Sequence, residues 1–152
     1  MEIWKTLHIL SMFTAVTLLV GASVFAERVV YSRDVHAIRR IGTAIRPLEN
    51  VGIAMVIVGV IFGIITAVVG PFDLTQAWLV IAYVLVVALF VLGPIESAML
   101  RRVFDAARSS PVDAPSTELE AAIANPRRTA ITWVSILLYA LIIVDMVTKP
   151  FL

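Results

Sequence analysis

Few side chains in this 152-residue sequence are of a type that does chemistry, and they stand far apart. His8 lies one helical turn beyond Trp4 and Asp145 one turn before Lys149, so both fall just inside the ends of long apolar stretches. With Met12 and Met146 they offer imidazole, carboxylate and thioether groups. Imidazole and thioether suit Cu(I), and the same two groups serve as axial ligands of haem iron. Asp73, in a short polar connection, falls on the same side. A titratable group within an apolar stretch is a functional candidate because burying it uncompensated is expensive. Each also has a plain structural explanation: Asp145 can pair with Lys149 at the (i, i+4) spacing, and an imidazole is tolerated at headgroup depth. His8, Asp145, Met12 and Met146 are the candidate metal ligands, and no residue is assigned as catalytic. HExxH, GxSxG and glycine-rich phosphate-loop patterns are all missing, so hydrolase and nucleotidase readings have no support. There is no cysteine, which excludes disulfides, thiolate zinc sites and cysteine-ligated clusters.

The elements that must position these groups follow from hydropathy. Apolar residues make up 61% of the chain and charged ones 15%, with a mean hydropathy of +0.99, which excludes a water-soluble globule. The formal net charge of +1 is too small and too dispersed for a nucleic-acid-binding surface. Uncharged runs of 21, 23 and 22 residues separate Lys5 from Glu27, Glu49 from Asp73, and Asp73 from Glu96. Each is long enough to cross a hydrocarbon layer of about 30 Å at 1.5 Å per helical residue. A fourth run, Thr129 to Val144, has 16 residues and reaches spanning length with Asp145 at an interface. Backbone groups in hydrocarbon must be bonded within their own segment, so these runs predict helices, and no stretch alternates as a barrel strand would. The expectation is an all-α, four-transmembrane-helix bundle forming one domain over residues 1–152, with spans at about 5–27, 49–70, 75–99 and 129–148.

Arginine placement orients the bundle. Arg28, Arg33, Arg39, Arg40 and Arg46 lie between spans one and two, and Arg101, Arg102, Arg108, Arg127 and Arg128 between spans three and four. Only Lys5 and Lys149 fall on the other side. Positive charge is retained in the cytoplasm, so residues 28–48 and 100–128 are expected as cytoplasmic loops and both termini as extracytoplasmic. Trp4 and Trp78 at the outer boundary, with Tyr31 and Trp133 at the inner one, fit as interfacial anchors. Val24, Phe25 and Ala26 before Glu27 form a weak cleavage-site pattern, but the positive cluster follows the apolar run, and span one is expected to stay.

Within the first loop, Val35, Ile38, Ile41 and Ile45 share one helical face and His36, Arg39, Arg40 and Arg46 the other. One reading is a short amphipathic cytoplasmic helix whose Arg33, Arg39, Arg40 and Arg46 meet anionic headgroups while its isoleucines enter the acyl boundary. The other is a continuation of span one that folds back at Pro47. In the second loop span three is expected to continue through Arg108, break over Ser109–Ser116, and give way to a short helix, Leu119–Ala124, with Thr117 and Glu120 at capping-box spacing. Gly59, Gly63 and Ala67 mark a close-packing seam on span two, most simply for span one or three. Gly93 and Pro94 predict a kink in span three. Tyr83 is expected to want a partner inside the bundle, and Glu96 to be screened by Arg101 or Arg102.

The string KTLHIL at residues 5–10, following a tryptophan, resembles the opening of bacterial membrane families around the copper-resistance protein CopD and the HemJ-type protoporphyrinogen oxidase. The segments GASVFAERVVYSRD, GVIFGIITA and AWLVIAYVLV are similar to a family of predicted bacterial integral membrane proteins known by a domain of unknown function. The first resemblance implies a b-type haem with His8 as axial ligand. The lysine that accompanies it in the HemJ type is missing after Trp78, and no span contains a second histidine. The leading expectation is an inner-membrane accessory or interaction protein without catalysis, in contact with the bilayer and with other membrane subunits or further copies of itself. A haem b redox protein using His8, or a small ion or metal carrier working as an oligomer, are the alternatives.

Overall fold

A computed structural model describes residues 2–70 and 72–149 as five helices: α1 (Glu2–Tyr31), α2 (Val35–Val69), α3 (Ala77–Ser109), α4 (Thr117–Ile123) and α5 (Pro126–Thr148). Helices α1, α2 and α3, and the segment Thr117–Thr148 that contains α5, are long and apolar enough to cross a membrane. The fold is thus all-helical and compatible with a four-helix membrane bundle. Large apolar side chains point outward along all four, among them Phe13, Ile61, Val84 and Leu137. That distribution suits hydrocarbon as solvent.

Three of the helices are longer than a membrane requires. At 1.5 Å per residue, the 30, 35 and 33 residues of α1, α2 and α3 extend for about 45–52 Å against a hydrocarbon layer of about 30 Å. The excess lies at the arginine-bearing end, where α1 turns into α2 and α3 hands over to α4. There Ala26, Val30, Ile38, Ile45, Val103, Phe104, Ala107, Leu119 and Ile123 form the protein's apolar core.

That core corrects both readings of the first loop. Residues 35–48 are helical, but as the first turns of α2, which runs unbroken through Pro47. The chain reverses at Ser32–Asp34 instead, with Arg33 in the left-handed region at φ 56° and Asp34 capping α2 by accepting from the Ala37 N–H at 3.0 Å. Val35, Ile38 and Ile45 are buried against protein, not lipid. The amphipathic pattern was real; the surface it served belongs to α3 and α4.

Contacts at the second connection differ from expectation in one detail. Ser116, not Thr117, caps α4, its hydroxyl accepting from the Leu119 N–H at 3.2 Å. Asn125 and Pro126 then start α5. Pro94 lies within the continuous α3.

Helices α1 and α2 pack along their whole lengths. Gly52, Gly59 and Gly63 of α2 receive Leu19, Met12 and His8 of α1, and a Cβ at any of the three would come within 3 Å of its partner side chain. The steps of seven and four residues between the glycines recur between their partners, so the antiparallel register holds over this seam. Close backbone approach of this kind replaces the hydrophobic drive that lipid does not supply. Helix α3 pairs with α5, and Trp78, Leu79 and Ala82 of α3 and Ile142 and Asp145 of α5 are buried. The bundle is therefore two hairpins, α1–α2 and α3–α5, joined at the arginine end by the core.

Candidate functional site

Between the hairpins lies a cleft of about 330 Å³ to which all four long helices contribute. Its walls are apolar: Met12 and Leu19 from α1, Ile53 and Val56 from α2, Val86 and Leu89 from α3. Its arginine-side end is polar, lined by Ser23, Glu49, Glu96, Ser97 and Arg101, with Ser135 and Tyr139 of α5 alongside. At roughly 300–1,000 Å³ for small-molecule sites, the volume is at the lower end of the usual range.

Polar contacts join the helices at this end and just beyond it. Ser23 of α1 donates to Glu96 Oε1 of α3 at 3.0 Å. Glu27 of α1 is ion-paired with Arg128 of α5, and both are buried. Arg128 also lies 5.8 Å from the Tyr31 ring centroid, and Tyr31 Oη and Thr129 Oγ1 share a hydrogen bond of 2.9 Å. Glu49 and Arg101 take no part in these pairings: among the described residues the ion pairs are Glu27–Arg128 and Asp105–Arg108. The cleft thus presents two carboxylates and a guanidinium that are not neutralised by one another at contact distance. Ser135 adds a buried hydroxyl with no hydrogen-bond partner. The contrast with Thr6, Thr14, Thr66 and Thr148 is direct, because each of those donates to the carbonyl four residues back.

The candidate metal ligands are not assembled. His8 is wedged into the α2 seam beside Gly63, its Nδ1–H donating to the Gly59 carbonyl at 2.7 Å. Met12 packs its sulfur on Gly59. Asp145, on the other hairpin, is buried, and among the described residues both of its carboxylate oxygens are unpartnered. Its expected ion pair with Lys149 is not formed: the Lys149 ammonium lies 5.4 Å from the Phe72 ring centroid and 5.2 Å from that of Trp78. Lysine and aromatic rings attract through the ring quadrupole, and this contact takes the cation away from the carboxylate. Met146 is half-buried on α5. Among the described residues no group of three or more His, Asp or Glu could hold a metal ion. Nor does the arrangement fit a haem on His8, because the imidazole is set into the α1–α2 seam and does not line the cleft.

Of the arginines expected at the membrane surface, Arg33, Arg40 and Arg46 are exposed. Arg39 is half-buried and holds the end of α3, its Nε donating to the Ala107 carbonyl at 2.7 Å and its Nη2 to those of Arg108, at 3.2 Å, and Ser110. Cationic groups at a helix C-terminus are favoured by its unpaired carbonyls and dipole. Ala67 is buried on α2 beyond the glycine seam. Tyr83, expected to turn inward, is 43% exposed.

Sequence reasoning overlooked the Glu27–Arg128 pair and the cleft's polar end. A signal existed on α5, whose buried residues Arg128, Thr132, Ser135, Ile142 and Asp145 recur at helical spacing and are polar in all but one case. Searching for uncharged runs hides such a stripe. Comparison with family models, curated proteins and solved structures finds no match for this chain.

Proposed function

We propose that this protein is a multi-pass component of a bacterial plasma membrane, with both termini extracytoplasmic, that works by binding and not by catalysis. It is an accessory protein whose cleft seats one membrane amphiphile between the hairpins. The observation that carries this reading is the cleft itself: apolar walls from four helices, ending in a polar, charged level on the arginine side. Pockets lined mainly by apolar side chains with a few convergent polar groups are the usual form of a small-molecule site. The ten arginines of the two long connections support placing that end in the cytoplasm, where positive charge is retained.

Photolabelling tests the reading. A phospholipid carrying a diazirine in its acyl chain, irradiated with the protein in native membranes, should label cleft positions such as Met12, Val86 and Leu89. Replacing Leu89 by Trp should remove that labelling. Labels confined to outward side chains such as Phe13, Val84 and Leu137 would contradict it.

A further inference from the structure

The cleft is one leaflet deep. On α3 its lining runs from Arg101 to Val86, and the apolar stretch from Glu96 back to Val86 is ten residues or about 15 Å, half of a hydrocarbon layer of about 30 Å. On α1 it runs from Ser23 to Met12, about 16 Å at the same rise. Both segments start at the polar end and stop near mid-membrane. A hydrocarbon chain lying there would carry its headgroup at the level of Glu49, Glu96 and Arg101.

Those three groups determine what headgroup fits. Among the described residues Glu49 and Arg101 are in no ion pair at contact distance, and Glu96 accepts from the Ser23 hydroxyl. Arg101, which is exposed, lies near enough to Glu49 to offset part of its charge, so a headgroup with no positive charge leaves the two half-buried carboxylates in excess, and one with no negative charge gains nothing from Arg101. An ammonium between carboxylates and a phosphate on a guanidinium form strong charge-assisted hydrogen bonds. From this complementarity we infer that the cleft holds a phospholipid of the arginine-side leaflet whose headgroup joins a primary ammonium to a phosphodiester. The ammonium sits between Glu49 and Glu96, the phosphate on Arg101, and one acyl chain runs along Leu89 and Val86. A trimethylated ammonium fits less well, having no N–H to donate to the two carboxylates.

This inference rests on the binding reading above, and the experiment separates the two. The purified protein is exchanged into nanodiscs containing equal amounts of phosphatidylethanolamine, phosphatidylcholine and phosphatidylglycerol, released into mild detergent, and its retained lipid is identified by native mass spectrometry. The expected result is one retained lipid per chain, with phosphatidylethanolamine favoured by about tenfold, as for one charge-assisted hydrogen bond gained. In the double variant Glu49→Gln/Glu96→Gln the preference should collapse while total retention persists. Arg101→Gln should lower retention of all three phosphate-bearing lipids. Equal retention of the three by the wild-type protein, or a preference for phosphatidylglycerol, overturns the headgroup assignment and leaves the cleft reading standing. Retention of no lipid overturns both. The wild-type comparison decides the question even if a variant fails to fold.

Discussion

Arg128 and Glu27 form an ion pair in the interior of the bundle, one from the first turn of α5 and the other from the last turns of α1. It ties the two hairpins at the arginine end, next to the polar end of the cleft. Neither residue is fully satisfied, since Glu27 Oε2 and Arg128 Nε lack partners, although Arg128 Nη2 reaches the Ile123 carbonyl at 3.4 Å.

Breaking this pair from one side leaves a buried charge alone, which costs about 3–5 kcal/mol in comparable settings, whereas replacing both members by apolar residues is near neutral or stabilising. Glu27→Met and Arg128→Met should each lower the thermal midpoint in detergent sharply. The double variant should recover most of the loss. Equal destabilisation by the single and double variants would show that the pair is not a coupled unit.

His8 and Gly63 are coupled through space. Gly63→Ala places a methyl within 2.9 Å of the His8 ring, so overpacking should destabilise the hairpin by about 1–3 kcal/mol. In a His8→Ala background the same change should be nearly free. A double-mutant cycle by denaturant titration in micelles gives the coupling, and its absence would mean the seam is not packed as described.

Asp145 is buried, and among the described residues neither of its oxygens is hydrogen-bonded. Removing an unsatisfied buried polar group relieves about 1–3 kcal/mol. Asp145→Leu should therefore raise thermal stability, and a loss of stability would show that the carboxylate has a partner.

Asp73 accepts from the Thr75 N–H at 2.9 Å and the Thr75 hydroxyl at 2.7 Å. Those bonds favour the carboxylate and hold its carboxyl below the usual range. With the folded value depressed, the turn's extra stability is complete above the unfolded carboxyl value of about 3.9 and is lost as pH falls through the folded one. Limited proteolysis between Phe72 and Gln76 should rise only in that acid window for the native chain, and Asp73→Asn should remove the dependence.

The spans were legible in the sequence because hydrocarbon imposes a length and forbids charge, so Lys5, Glu27, Glu49, Asp73 and Glu96 bound the apolar part of three of the four long helices. What those limits do not reveal is how far a helix continues outside the hydrocarbon. Val35, Ile38 and Ile45 carry a correct helical period, but period alone does not distinguish a lipid surface from α3 and α4 as the partner. The glycines of α2 announced a seam, while the identity of its knobs followed only from register. The cleft was illegible because it is made by residues from four helices, each of which alone looks like ordinary span composition. Lys149 was misassigned for a similar reason: Phe72 and Trp78 lie more than seventy residues away in sequence and compete with Asp145, its neighbour on α5.

In the proposed topology the arginine-bearing end of the bundle, with the core and the charged end of the cleft, faces the cytoplasm. The absence of native cysteine allows a direct measurement. Single cysteines at Ser32, Thr75 and Val112 are labelled with a membrane-impermeant maleimide, on intact spheroplasts and after permeabilisation. Thr75→Cys should react on intact spheroplasts, and Ser32→Cys and Val112→Cys only after permeabilisation. Labelling of Ser32→Cys or Val112→Cys from outside would contradict the topology and the leaflet assigned to the bound lipid with it.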